Sequence, residues 1–232
     1  MKKLLALFFV LALTALTGCK AEPDTKTAID YEDVTEISTV SNFTEAPTEK
    51  VPAIVPKDHE LVRITDYIPD AQIDLKYATE DNFTGVVIYS PETEALLRYG
   101  TVKKLMSAQQ ALSDKGYNLL IWDAYRPVEA QFRLWEVCPD PRFVANPNNG
   151  FSNHSRGNTV DVSIVKKDGS HVLMPSEFDD FSSRADRTYS DISPEVRNNA
   201  LMLESIMTEC GFEGYSAEWW HYSDTTEYPV IK

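Results

Sequence analysis

Between Thr159 and Val165 the chain alternates strictly, with Val160, Val162 and Ile164 to one side and Asp161 and Ser163 to the other. Alternation of period two predicts a strand with one face in a core. A carboxylate between two β-branched residues is costly to bury unless it is paired or bound to a metal; otherwise Asp161 belongs to a half-exposed strand and faces water. The strand alone leaves both readings open. His154 precedes Asp161 by seven residues, in Ser152-Asn153-His154-Ser155-Arg156-Gly157, and Glu218-Trp219-Trp220-His221 comes much later. Two imidazoles and one carboxylate make a three-ligand set for Zn²⁺ with a fourth position left to water. Glu218 is near enough to His221 in sequence to act on that water rather than on the metal. Residues three apart on a regular strand face opposite ways, so a bend or unequal reach is expected between them. His59 and His171 have no such surroundings and read as ordinary imidazoles. Trp219 and Trp220 read as wall packing rather than substrate contacts.

The rest of the chain supplies the setting. Lys2 and Lys3 precede an apolar run from Leu4 to Leu16 that ends in Leu16-Thr17-Gly18-Cys19. This resembles the lipobox of bacterial lipoproteins, which implies a signal peptide over 1–18 and a lipidated Cys19 that anchors the chain outside the cytoplasm. Residues 19–57 are acidic and rich in Thr and Pro, lack Gly and show no persistent apolar period. They read as a disordered tether, and residues 58–232 as one catalytic domain. The formal net charge of −14 argues against nucleic acid as a partner. A single long apolar run excludes a multispan membrane protein, so contact with the membrane is expected through the lipid anchor only. Three cysteines do not make a disulfide scaffold. Outside the cytoplasm Cys138 and Cys210 are free either to pair or to stay as buried thiols, and the sequence does not decide between these.

Short β-like runs are expected over 61–78, broken at Pro69-Asp70. Helices are expected over 92–115, over 128–137 beginning just after Pro127, and from Ser193-Pro194-Glu195 to a stop at Gly211. Strands are expected over 117–122 and 159–165. Helices and strands are interspersed without strict βαβ alternation, which favours an α+β fold with a mostly antiparallel central sheet flanked by helices.

Ser152-x-His154-x-x-Gly157-x-Thr159-x-Asp161 with Glu218-x-Trp220-His221 resembles the zinc DD-peptidases that share a fold with the Hedgehog signalling domain. Asp74–Thr79, Asp81–Gly85, Trp122–Pro127 and Phe178–Ser182 narrow the resemblance to the D-alanyl-D-alanine dipeptidases of the vancomycin-resistance type. The resemblance implies zinc on His154, Asp161 and His221, and Glu218 as general base and then acid. It implies that Arg126 holds the scissile carbonyl oxygen, that Asp179 and Tyr77 receive the free ammonium of a small dipeptide, and that Ser152 contacts the dipeptide. Tyr89 is a further carry-over, although the spacing after Phe83-Thr84-Gly85 is altered. Thr159 stands where the pattern has Ala, and Ala124 where Gly is usual; neither change removes a reacting group. The resistance enzymes act in the cytoplasm, so an exported relative implies the same chemistry in cell-wall peptide turnover. The alternatives are a D,D-carboxypeptidase or endopeptidase that trims wall stem peptides, and a non-catalytic lipoprotein that binds wall fragments.

Overall fold

The computed structural model describes residues 55–232. The expected signal peptide, Cys19 and nearly all of the tether lie outside the described residues. Among the described residues no helix is long and apolar enough to cross a membrane.

Among the described residues, seven strands and four helices follow in the order β1 (Leu61–Arg63), α1 (Ile64–Tyr67), β2 (Gln72–Ile73), β3 (Leu96–Arg98), α2 (Tyr99–Ser113), β4 (Tyr117–Asp123), α3 (Val128–Val137), β5 (Thr159–Lys166), α4 (Pro194–Glu209), β6 (Phe212–Gly214) and β7 (His221–Asp224). The main sheet runs β2-β4-β5-β7-β6, and β1 pairs with β3 in a separate ribbon. Only β2–β4 is parallel; every other pair is antiparallel. The fold is therefore α+β with a mostly antiparallel sheet.

β5 lies at the centre of the sheet and is buried on both faces as far as Val165. Val160, Val162 and Ile164 are sealed in the core, and Asp161 on the opposite face is only 3% exposed. The half-exposed reading of the strand is thereby excluded. α2 turns Val102, Leu105, Ala108 and Leu112 inward, as its period requires. α4 starts at an N-cap where Ser193 Oγ accepts from the Val196 N–H (3.3 Å), with Pro194 in its first turn, and buries Ala200, Leu203, Ile206 and Met207.

The expected helix over 92–115 begins seven residues later, at Tyr99. Leu96–Arg98 leave the helical pattern to pair antiparallel with Leu61–Arg63, and Tyr125 N–H donates to the Leu96 carbonyl (2.9 Å). A non-local ladder here overrides the local period. The expected β-like stretch over 61–78 resolves into β1, the single turn of α1, β2 and a one-turn 3₁₀ segment at Lys76–Ala78. Cys138 and Cys210 are free, half-buried thiols.

Candidate active site

The antiparallel registers place Asp123, Asp161 and His221 abreast on β4, β5 and β7, with a register shift between Ile121 and Asp123. His154 arrives from a one-turn 3₁₀ segment, Asn153–Arg156, which feeds β5. Ser152 caps that turn by accepting from the His154 N–H (3.3 Å). Gly157 closes it at φ 73°, and a Cβ there would lie 2.9 Å from Leu61, so both the conformation and the space call for glycine.

These elements bring His154, Asp161 and His221 together. His154 Nε2 lies 3.4 Å from Asp161 Oδ2, His221 Nδ1 lies 3.0 Å from Asp161 Oδ1, and the two imidazole nitrogens are 3.3 Å apart. Donors at ~2.0–2.1 Å from one tetrahedral ion stand about 3.3 Å from each other. His154 Nδ1 is 2.8 Å from the Ala124 carbonyl; an N–H donated there leaves the Nε2 lone pair facing the site. Asp161 Oδ1 is buried and, although His221 Nδ1 lies 3.0 Å away, accepts no well-aligned hydrogen bond, an arrangement that costs free energy unless a cation meets it. The donor set therefore fits a divalent metal, and two imidazoles with one carboxylate suit zinc. Burial pushes the Asp161 carboxyl up, but the facing imidazoles outweigh it and hold the group below the usual carboxylate range. His59 and His171 lie exposed at the surface, away from this centre.

Glu218 and His221 reach one site because Glu218 lies in a turn and His221 opens β7. The His221 N–H bonds to the Glu218 carbonyl (3.3 Å), and the Glu218 N–H to the Tyr215 carbonyl (3.2 Å). The bend expected from their spacing is this turn. Glu218 Oε2 stands 3.5 Å from His221 Nδ1. Burial raises the Glu218 carboxyl above its ordinary value, and His221 pulls it partly back, which brings a general base closer to neutrality.

Arg126 follows β4 and is buried against Asp123, whose Oδ2 accepts from Nε (3.1 Å) and Nη2 (2.5 Å). Gln131 Oε1 accepts from Nη1 (3.0 Å), and the guanidinium lies 4.9 Å from the Tyr77 ring. Asp123 Oδ1 accepts from the Tyr89 hydroxyl and from the Ala124 N–H. Its other oxygen lies 3.5 Å from His154 Nδ1. Asp123 thus braces both Arg126 and the segment beside His154, and sequence reasoning missed it. Its signal was an acid closing an apolar strand three residues before the arginine. Tyr89, the further carry-over from the resemblance, donates its hydroxyl to Asp123; it is buried and does not line the cleft.

Asp179 and Tyr77 face the same cleft, with the Tyr77 hydroxyl donating to Asp179 Oδ2 (2.8 Å). Asp179 holds φ 55°, a left-handed conformation that Asp tolerates better than most residues. Burial pushes its carboxyl up to about 8, against the pull of the Tyr77 hydrogen bond. Ser152 also lines the cleft, which encloses about 370 Å³. Trp219 and Trp220 are buried behind it, packed on Trp122 and Phe178, and do not line it.

A cleft that holds a metal donor set, an adjoining carboxyl and a braced guanidinium on an α+β sheet defines a metallopeptidase-type centre. A family model described as D-ala-D-ala dipeptidase matches residues 57–230. The chain is 38% identical over 174 residues to a D-alanyl-D-alanine dipeptidase of Escherichia coli (strain K12), covering 74% of this chain and 89% of that one. It is 36% identical over 168 residues to one of Enterococcus faecium, covering 64% and 83%. The chain belongs to the D-Ala-D-Ala dipeptidase family of peptidases. A solved mutant of the vancomycin-resistance D,D-pentapeptidase VanY, in complex with Zn(II), is 17% identical over 58% of this chain and 76% of that one, with a TM-score of 0.38.

Proposed function

We propose that this domain hydrolyses D-Ala-D-Ala, or a close dipeptide, to free amino acids in a zinc-dependent reaction. We further propose that it does so outside the cytoplasm, held at the membrane by lipidated Cys19, in cell-wall peptide turnover. The observation that carries the substrate reading is Asp179: a carboxyl with a raised pKa, hydrogen-bonded to Tyr77, in the same small cleft as the metal donors and Glu218. A free ammonium docked there supplies the counter-charge that burial denies the carboxylate. A site that reads the amino end beside the scissile bond disfavours N-terminally extended chains. About 370 Å³ is at the small end of ligand clefts.

His154, Asp161 and His221 would hold the zinc. Held there, zinc would lower the pKa of a water from ~15.7 to about 7 and would polarise the scissile carbonyl. Glu218 takes the proton from the attacking water and returns it to the departing nitrogen. Arg126, permanently charged and braced by Asp123, donates to the oxygen on which negative charge develops. Asp179 and Tyr77 fix the ammonium, and Ser152 bears on the dipeptide from the 3₁₀ turn.

The test compares D-Ala-D-Ala with a wall stem pentapeptide on the purified, zinc-loaded domain. Release of two D-Ala per dipeptide, with the pentapeptide left intact, is expected. Release of D-Ala from the pentapeptide alone would overturn the dipeptidase reading in favour of a carboxypeptidase.

A further inference from the structure

We propose that Arg187, which lies outside the cleft, is a positioning residue that sets the 215–221 turn, and through it the aim of Glu218 and the placing of His221. The proposal rests on the reading of Glu218 as base and His221 as ligand.

Arg187 belongs to the long loop between β5 and α4. Its Nε donates to the Tyr215 carbonyl (2.8 Å), and its Nη2 donates to the Trp219 and His221 carbonyls (both 3.0 Å). These three carbonyls bracket Glu218 from both sides along the chain. The guanidinium is itself held from behind: Nη1 lies 3.1 Å from the Tyr222 hydroxyl and 3.2 Å from Glu204 Oε2, and the group lies 4.4 Å from the centre of the Tyr222 ring. Two backbone bonds lock loop to turn, from the Arg187 N–H to the Ser216 carbonyl (3.0 Å) and from the Trp219 N–H to the Ala185 carbonyl (2.9 Å).

Carbonyl dipoles that converge on one point repel each other unless a cation meets them. A planar guanidinium presents five donors in a fixed fork and can engage three carbonyls at once, whereas an ammonium is a single point charge on a flexible stem. The chain also leaves room for the group: a Cβ added at Gly214 would fall 2.6 Å from Arg187 Nε and Nη2. Gly214 has no positive φ that would otherwise require glycine. Its lack of a side chain is accounted for by the guanidinium lying against it.

The experiment uses Arg187→Met, Arg187→Lys and Gly214→Ala in the full domain. Gly214→Ala keeps the arginine but displaces its guanidinium. Zinc affinity is measured by chelator competition, the coordination geometry by the visible spectrum of the cobalt-substituted protein, and kcat and KM on D-Ala-D-Ala. Loss of an outer-shell support typically costs 10–100-fold in metal affinity or activity. All three variants are expected to lose zinc affinity about 10-fold or more, to show an altered cobalt spectrum, and to lose kcat about 10-fold or more with KM little changed. Lysine is expected to rescue little. Variants with a lowered thermal midpoint but wild-type zinc affinity and cobalt spectrum would overturn the proposal and leave Arg187 a structural role only. Should Arg187→Met fail to fold, Gly214→Ala decides the matter by the same readouts. Wild-type protein that binds zinc but does not cut D-Ala-D-Ala would sink the substrate reading, while the metal readouts would still judge Arg187.

Discussion

Replacing Asp123 by asparagine keeps the shape of the side chain and removes its charge. In the native protein Oδ1 accepts from the Tyr89 hydroxyl and the Ala124 N–H, and Oδ2 accepts from two nitrogens of Arg126. Asparagine offers one oxygen. Turned with its NH₂ toward Arg126, the amide loses both bonds to the guanidinium; turned with its NH₂ toward Tyr89, it loses the bond from the Ala124 N–H, while the tyrosine hydroxyl can accept from it. If the NH₂ faces Arg126, a guanidinium with a side chain 9% exposed loses its counter-charge and its acceptor together. Breaking a buried ion pair from one side costs about 3–5 kcal/mol, and the retained shape places the loss near the lower figure. At 2–4 °C per kcal/mol for a domain of this size, the thermal midpoint should fall by about 6–12 °C. Arg126 would also lose its aim at the developing oxyanion, so kcat should drop about 100-fold or more, with zinc still bound. Calorimetry of the zinc-loaded protein and initial rates on D-Ala-D-Ala read the two effects. A midpoint unchanged to about 1 °C, together with near-normal kcat, would refute the bracing role of Asp123.

Glu218→Gln should retain zinc and lose kcat by about 10²–10⁴-fold, as expected for removal of a general base; equal turnover in wild type and variant would leave Glu218 without that role. Asp179, with its carboxyl raised to about 8, keeps in the folded state a proton that the unfolded chain sheds near pH 4. Its contribution to stability is full below pH 4 and lost as the pH rises through 8. The metal-free Asp179→Asn variant should therefore gain in midpoint over wild type between pH 5 and pH 8, and parallel curves would contradict the shift. Asp179→Asn should also raise KM for D-Ala-D-Ala more than it lowers kcat. Full-length protein should fractionate with membranes and Cys19→Ala should not; identical partitioning would count against the lipid anchor.

Much of this architecture was legible because its determinants are local. Ser193-Pro194-Glu195 marks the start of α4 through its cap, Pro127 precedes α3, and the alternation about Asp161 marks β5. Leu96–Arg98 fit a helical pattern locally, and their strand character comes only from Leu61–Arg63, over thirty residues earlier. The convergence of His154 with Asp161 was suggested by their spacing across the turn at Gly157. That Glu218 and His221 face one centre was a problem in the sequence, and only the turn before β7 solves it. Asp123 escaped notice because residue type alone does not show that its nearby partners Ala124 and Arg126 turn onto it, and its third, Tyr89, lies 34 residues earlier. Arg187 escaped because its partners are backbone carbonyls almost thirty residues or more away, and carbonyls leave no trace in residue type.

The cleft is arranged around a site for a single zinc, with two imidazoles and Asp161 as its donors. Metal content after exhaustive dialysis, measured on wild type and on His154→Ala, Asp161→Ala and His221→Ala, tests it most directly. One zinc per chain in the wild type and a marked loss in each variant is the predicted result. A wild type that retains no zinc, or variants that retain it in full, would contradict the account.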